Sequence, residues 1–228
     1  MRTLSIDIGG TGIKALILDV AGAPLTDRAR VETPQPALPD AVLAVIDTLA
    51  RELGAFDRIS LGFPGVVRGG VTVTAPHLDP SWAGFPLAER LSERTGGKPV
   101  RMLNDAAIQG LGVIEGKGLE AVITLGTGLG CCLYVDGAPW QLELGHHPYR
   151  KRRTYEDYLG NAARKHAGNR KWNRRVREAI TTMEALFNYQ RLYVGGGNAK
   201  HLEREGLPAN VTVVDNSAGL LGGIRLWG

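Results

Sequence analysis

Three glycine-rich turns and one Asn-Asp pair carry most of the chemistry open to this chain. The turns are Gly9-Gly10-Thr11-Gly12, Gly126-Thr127-Gly128-Leu129-Gly130 and Gly195-Gly196-Gly197. Glycines that lack a side chain let a phosphate approach the backbone, and Thr127 adds a hydroxyl donor. Asp7 stands directly before the first turn, where N–H groups converge into an anion-binding concavity. A carboxylate there suits Mg2+, bound directly or through water. The spacing is neither that of a P-loop nor that of the strand-turn-helix dinucleotide fingerprint, because residues 13 to 19 read as a strand.

Asn104-Asp105 follows an apolar strand and opens a helix, so it reads as a helix cap with a favourable dipole contact. Asp105 equally suits a base that accepts the proton of an attacking hydroxyl in phosphoryl transfer, and the two roles are compatible. Glu143-Leu144-Gly145-His146 pairs a carboxylate with an imidazole three residues on. Both groups can bond vicinal sugar hydroxyls; with His147 they could also ligate a metal.

These residues need a scaffold of strands and covering helices. Thr3 to Ile8 and Ile13 to Asp19 form a hairpin, and Asp40 to Leu53 has a helical spacing of apolar residues, started by Pro39-Asp40 and closed by Gly54. Strands are expected at 58–63, 70–74, 99–103, 191–194 and 211–214. Helices are expected at 87–94, 106–113, 174–189 and 217–226, the last capped by Asn216 or Ser217. A second hairpin, 121–125 and 131–135, repeats the first: Gly10-Thr11-Gly12-Ile13 aligns with Gly126-Thr127-Gly128-Leu129 at an offset of 116, and Gly22 with Gly137 at 115. An internal duplication gives two related lobes with a cleft between them.

Composition bounds the rest. The 228 residues are 43% hydrophobic but only 6% aromatic, which fits an α/β core of aliphatic side chains. No apolar run spans a bilayer, no signal-peptide pattern opens the chain, and a cytoplasmic protein with no membrane partner is expected. Cys131 and Cys132 are adjacent and suit neither a routine disulfide nor a four-ligand zinc site. Net charge is +4, yet residues 150–177 hold eleven Lys and Arg against Glu156 and Asp157. That segment reads either as a solvated helix face or as a track for a polyanion such as polyphosphate. Interleaved Tyr155, Tyr158 and Trp172 suggest nucleic acid, but no nucleic-acid-binding module accompanies them.

Taken together, Asp7-Ile8-Gly9-Gly10-Thr11, Phe63-Pro64-Gly65, Leu103-Asn104-Asp105-Ala106, Thr124 to Gly130, Glu143 to His146 and Val194-Gly195-Gly196-Gly197 resemble the ROK family of sugar kinases and repressors. The resemblance implies a duplicated actin-like (ribonuclease H-like) ATPase fold, whose two lobes close on a sugar and a phosphoryl donor. It implies that Asp7, Gly9, Gly10, Thr11, Gly12 and Lys14 hold phosphate, with Gly126, Thr127 and Gly128 as the second phosphate turn. Gly195, Gly196 and Gly197 would form the adenosine turn. Gly65, Asn104, Asp105, Glu143, His146 and Glu156 would hold the sugar, with Asp105 as base and Mg2+ near Asp7.

The family's Cys-rich zinc motif is absent after His146, so no structural zinc is expected. No DNA-binding extension precedes Met1, which points away from the repressors. Short length and Pro76 to Trp82 look more like the polyphosphate glucokinases, although His77 stands where Asn is common. The expected activity is transfer from polyphosphate or ATP to a hexose, foremost the 6-hydroxyl of glucose, by a homodimer. The alternatives are another acceptor (N-acetylmannosamine, N-acetylglucosamine or fructose) or a non-catalytic sugar-binding relative. The expected lobes are 1–104 with 216–228, and 105–215, with Trp227 at a lobe or subunit contact.

Overall fold

The computed structural model describes residues 1–76, 78–214 and 218–228, so His77 and the expected caps Asn216 and Ser217 lie outside the described residues. The chain first runs through β1 (Thr3–Ile8), β2 (Ile13–Leu18), β3 (Ala29–Val31), α1 (Pro39–Leu53), β4 (Arg58–Phe63), β5 (Val67–Arg68), β6 (Val71–Thr72), α2 (Leu87–Arg94), β7 (Val100–Asn104) and α3 (Asp105–Leu111). There follow β8 (Leu119–Leu125), β9 (Leu129–Val135), β10 (Ala138–Leu142), β11 (Pro148–Arg150), β12 (Arg153–Thr154), α4 (Tyr155–Leu159), α5 (Asn161–Ala167), α6 (Asn169–Phe187), β13 (Arg191–Gly195), β14 (Val211–Val213) and α7 (Ala218–Leu221). A 3-10 segment, Gly222–Trp227, ends the chain.

Two compact units result, Met1–Gly112 with Gly219–Gly228, and Val113–Ala218. The sequence put a boundary between 104 and 105; the first unit instead keeps α3, which packs on β4 and on the 3-10 segment. Gly222 is the close point there, since a Cβ on it would stand 2.1 Å from the carbonyl oxygen of Ile108. This segment and α7 before it are stitched to the sheet by Ser60 Oγ donating to the carbonyl of Gly223 and Ser5 Oγ to that of Leu220, at 2.6 and 2.7 Å. Trp227 lies within this unit, its ring in contact with the guanidinium groups of Arg58 and Arg101.

Each unit is built on one five-stranded sheet, ordered β3-β2-β1-β4-β7 in the first and β10-β9-β8-β13-β14 in the second. In both, the hairpin strands pair antiparallel and the last strands parallel, so the two halves share one topology. Period-2 alternation sets the register. Leu4, Ile6 and Ile8 turn into the core beneath Val42, Leu43, Ile46 and Leu49 of α1, and Ala121, Ile123 and Leu125 turn into the core beneath Val176, Ile180 and Met183 of α6.

The repeat offset changes across the turn. Ile13 matches Leu129 at 116, but Ile8 matches Leu125 at 117, because the first turn has four residues between its strands and the second has three. Kept at 116, the first strand would turn its apolar face outward. Gly22 and Gly137 both take positive φ, 86° and 83°, in the next turn of each half.

Other expectations shift. The strand at 70–74 shrinks to β6, which pairs with β5 outside the main sheet and bridges to Phe85 through Thr72, and the helix at 174–189 begins at Asn169. The strand β10, an edge with an exposed Trp140, and the short α4 and α5 had no sequence counterpart. Cys131 and Cys132 are both buried, because the sheet is covered on each face, and burial pushes their thiols up to about 12 and about 11.

Glu120 is the main buried charge of the second unit. Its carboxylate accepts the N–H groups of Glu115, Gly116 and Lys117 at 2.7 to 3.2 Å and the hydroxyl of Tyr193 at 3.0 Å. Glu120→Gln removes a charged acceptor and leaves buried donors mismatched, so urea unfolding should show a loss of roughly 2 to 4 kcal/mol. A midpoint unchanged from the parent chain would show that these bonds do not brace the sheet.

Candidate active site

Parallel strands bring two separate motifs of the first unit to one edge. Asp7 of β1 pairs with Gly62 of β4, and Gly62 with Leu103 of β7, so the carboxyl ends of the three strands stop together. Asp105 follows β7 directly. A Cβ on Gly62 would lie 3.5 Å from Asp7 Oδ1 and 3.7 Å from the Asp105 Cα, so the two aspartates flank one glycine.

Asn104 is buried and serves both sides of its position. Its Oδ1 accepts the N–H of Ala106 at 2.9 Å, capping α3, while its Nδ2 donates to the carbonyl of Gly65 at 3.2 Å. Gly65 itself is pressed so tightly on the carbonyl of Thr74 that a Cβ would stand 2.0 Å from it. Asp105 Oδ1 accepts the same Ala106 N–H at 2.7 Å, which orients the carboxylate at the helix start.

The first Gly-rich turn is closed by the Gly9 N–H on the carbonyl of Gly12, 3.0 Å away, and Gly10 and Thr11 lie within it. Lys14 stands across the hairpin from Asp7 and donates to its Oδ2 at 2.8 Å. Two residues not singled out in the sequence join this turn. Thr33 Oγ1 donates to the carbonyl of Gly9 at 2.5 Å, and the guanidinium of Arg30 lies 2.9 Å from where a Gly12 Cβ would be. Arg30 could not be found because β3, only three residues long, gave no periodic signal.

In the second unit the Gly126 N–H donates to the carbonyl of Gly128 at 3.0 Å, closing the turn that holds Thr127. The Gly126 carbonyl accepts twice, from the Asn161 N–H at 3.0 Å and from Asn198 Nδ2 at 2.9 Å. Asn198 follows Gly195-Gly196-Gly197, so its side chain ties the third Gly turn to the second. Gly196 has φ 88° and lies on the backbone of Leu125, and both features demand glycine. Gly126 and Gly197 differ: neither has a positive φ, and a Cβ on either would meet no described residue within 4 Å.

Glu143 and His146 sit 3.9 Å apart on a 3-10 turn, both well exposed. A Cβ on Gly145 would be 2.4 Å from the carbonyl of Leu129 and 3.7 Å from Glu156 Oε2, so the structure brings Glu156 to this turn. A capping box between Thr154 and Asp157 starts α4 and sets the position of Glu156. Gly160 ends α4 against the carbonyl of Thr127, 2.7 Å from its would-be Cβ, which fastens this corner to the second Gly turn.

Among the described residues no cluster of three or more His, Cys, Asp and Glu could hold a metal. Likewise no helix is long and apolar enough to cross a membrane.

Known proteins share this arrangement. The sequence profile of the ROK family matches residues 3–152. A polyphosphate glucokinase of Mycobacterium tuberculosis (strain CDC 1551 / Oshkosh) is 30% identical over 95% of this chain and 88% of its own length. The crystal structure of an inorganic polyphosphate/ATP-glucomannokinase from Arthrobacter sp. strain KM is 32% identical and superposes with a TM-score of 0.88, over 99% of this chain and 97% of that one. A ROK family glucokinase from Streptomyces griseus, solved with glucose and AMPPNP, covers 99% of both chains at a TM-score of 0.81 and 21% identity, a likeness of fold. The two matching sheets are thus the duplicated halves of the actin-like fold. A profile match over most of the chain, together with kinship along nearly its whole length, makes this chain a member of the ROK family.

Proposed function

We propose that this hexose kinase transfers the terminal phosphoryl group of polyphosphate or ATP to the 6-hydroxyl of glucose. The observation that carries the proposal is the pairing of Asp7 and Asp105 around Gly62, which sets a phosphate-side and a hydroxyl-side carboxylate on adjacent strand ends. Neighbouring strands lie about 4.8 Å apart, so one strand between the two leaves room for a sugar hydroxyl in line with a phosphorus atom.

Asp105 accepts the proton of the attacking hydroxyl as the new O–P bond forms. The bond from the transferred phosphorus to the bridging oxygen breaks, and a shortened polyphosphate or ADP leaves with that electron pair. Asn104 and Gly65, tied to each other, and Glu143, His146 and Glu156 bond the other sugar hydroxyls. Phosphate oxygens lie against Gly9, Gly10, Thr11, Gly12 and Lys14 and against Gly126, Thr127 and Gly128. Gly195, Gly196 and Gly197 border the remainder of the donor.

Asp7 fits Mg2+. Its Oδ2 takes Lys14 while Oδ1 points toward Gly62, and a single carboxylate completed by water and donor oxygens is an ordinary Mg2+ environment. The ion would neutralise donor charge. The homodimer implied by family resemblance belongs to the same proposal.

A panel of hexoses offered with ATP and with polyphosphate, read as sugar phosphate formed, tests the assignment; formation of no sugar phosphate from either donor would refute it. Asp105→Asn should lower kcat by roughly 10²- to 10⁴-fold with donor KM little changed. Near-normal turnover would remove the base role. Gly126→Ala gives a second check, because the fold has space for the methyl but a bound phosphate would not. It should change stability by less than about 1 kcal/mol and raise donor KM roughly tenfold. Equal KM values in parent and variant would move the donor away from this turn.

A further inference from the structure

Of the basic residues between 150 and 177, several are already compensated. Arg150 pairs with Glu178 at 2.6 Å, Arg174 reaches the same carboxylate at 4.0 Å, Arg177 pairs with Glu203 at 3.5 Å, and Arg175 lies over the ring of Tyr158. Arg164 on α5 is different. Its guanidinium is held by two neutral amides, donating to Asn161 Oδ1 and Asn169 Oδ1 at 3.1 Å each, and its Nε is buried with no hydrogen-bond partner among the described residues.

The residue that anchors Arg164 also anchors the second Gly turn. Asn161 presents its side chain to Arg164 and its backbone N–H to the carbonyls of Gly126 and Thr127, at 3.0 and 3.3 Å. A second path reaches the same place. Asn198, bonded to Gly126, begins the 3-10 turn that holds Lys200 and His201. The buried Asn173 donates to the carbonyls of both Asn169 and His201, at 2.9 and 3.0 Å, and so joins that turn to the start of α6 where Arg164 is held. The pKa of His201 is lowered, first by desolvation and then by the charges of Arg164 and Lys200. Three cationic or protonatable groups thus share one corner beside the Gly126 turn.

We infer that Arg164, with Lys200 and His201, forms a phosphate subsite that binds the part of a condensed-phosphate donor lying beyond the transferred group. The inference rests on the donor turn assigned under Proposed function. A guanidinium fixed by neutral partners keeps its full charge and its forked donor geometry, which suits the non-bridging oxygens of a phosphoanhydride chain. Surface arginines matched to glutamates offer neither. The shared ligand chemistry is the phosphoanhydride chain, from inorganic polyphosphate or from the triphosphate of a nucleotide.

The test uses the full chain, its Arg164→Gln and Arg164→Lys variants and, because Arg164 also ties α5 to α6, the exposed-site variant Lys200→Ala. Tripolyphosphate binding is measured by calorimetry without sugar. Donor KM is measured with tripolyphosphate, long-chain polyphosphate and ATP. Arg164→Gln should weaken tripolyphosphate binding about tenfold or more, Lys200→Ala about threefold, and Arg164→Lys less than Arg164→Gln, with glucose KM within about twofold.

A rise in KM confined to the inorganic donors assigns the subsite to polyphosphate, and a rise for all three assigns it to the chain common to both sources. Unchanged tripolyphosphate affinity in folded Arg164→Gln and Lys200→Ala, with the parent chain active, overturns the inference. Binding that depends on Arg164 in a parent chain that phosphorylates no sugar keeps the subsite and overturns the kinase assignment instead.

Discussion

The carbonyl oxygen of Gly126 is the point on which the second unit depends. A carbonyl has two acceptor positions, and here both are filled, one by the Asn161 N–H from the start of α5 and one by Asn198 Nδ2 from beyond β13. Three chain segments far apart in sequence are thereby fixed to one peptide group. Because α4 ends on the neighbouring carbonyl of Thr127 through Gly160, the turn that carries Glu143 and His146 inherits the same anchor by way of Glu156. One peptide orientation therefore sets both the candidate phosphate turn and the candidate sugar turn of this unit. A loop with so many satisfied backbone groups is rigid before any ligand arrives, which is what electrostatic preorganisation requires.

Glycines on these turns divide into two kinds, and the division has functional meaning. Gly65, Gly145, Gly160 and Gly196 are demanded by packing, since a Cβ on each would stand within 3.0 Å of a backbone atom. Gly126 and Gly197 are demanded by nothing among the described residues. A residue whose type the fold does not explain, placed beside ones that it does, is where a ligand has to be brought into the account.

Much of this was legible in the sequence, for identifiable reasons. The hairpins, α1, α2 and the parallel strands declared themselves through apolar alternation and spacing, and the Gly turns through composition. The repeat could be seen in its turns but not followed back through the strands before them. An offset of 116 aligns glycines, whereas the buried faces of β1 and β8 require 117, and only pairing registers reveal that the second turn is one residue shorter. Arg30 and Thr33 stayed hidden because β3 is too short for a pattern. Asn161 and Asn198 act through hydrogen bonds to distant backbone, which no local spacing encodes. Glu156 followed from the family resemblance alone, and its place beside Gly145 is seen only in the fold.

The basic segment shows how far charge counting reaches and where it stops. Eleven cations between 150 and 177 read as either a solvated helix face or a polyanion track, and α6 answers Arg150 and Arg174 with Glu178, and Glu203 answers Arg177. Exposed pairs of this kind contribute little to stability and leave a small net field at the surface. What distinguishes a binding cation is the lack of a compensating carboxylate together with restraint of its geometry. Among the described residues Arg164 meets both conditions, and it does so on the residue that also secures the Gly126 turn. Local charge density and proximity to the donor turn therefore select different residues from the same segment, and the second criterion is the one that the hydrogen-bond network supports.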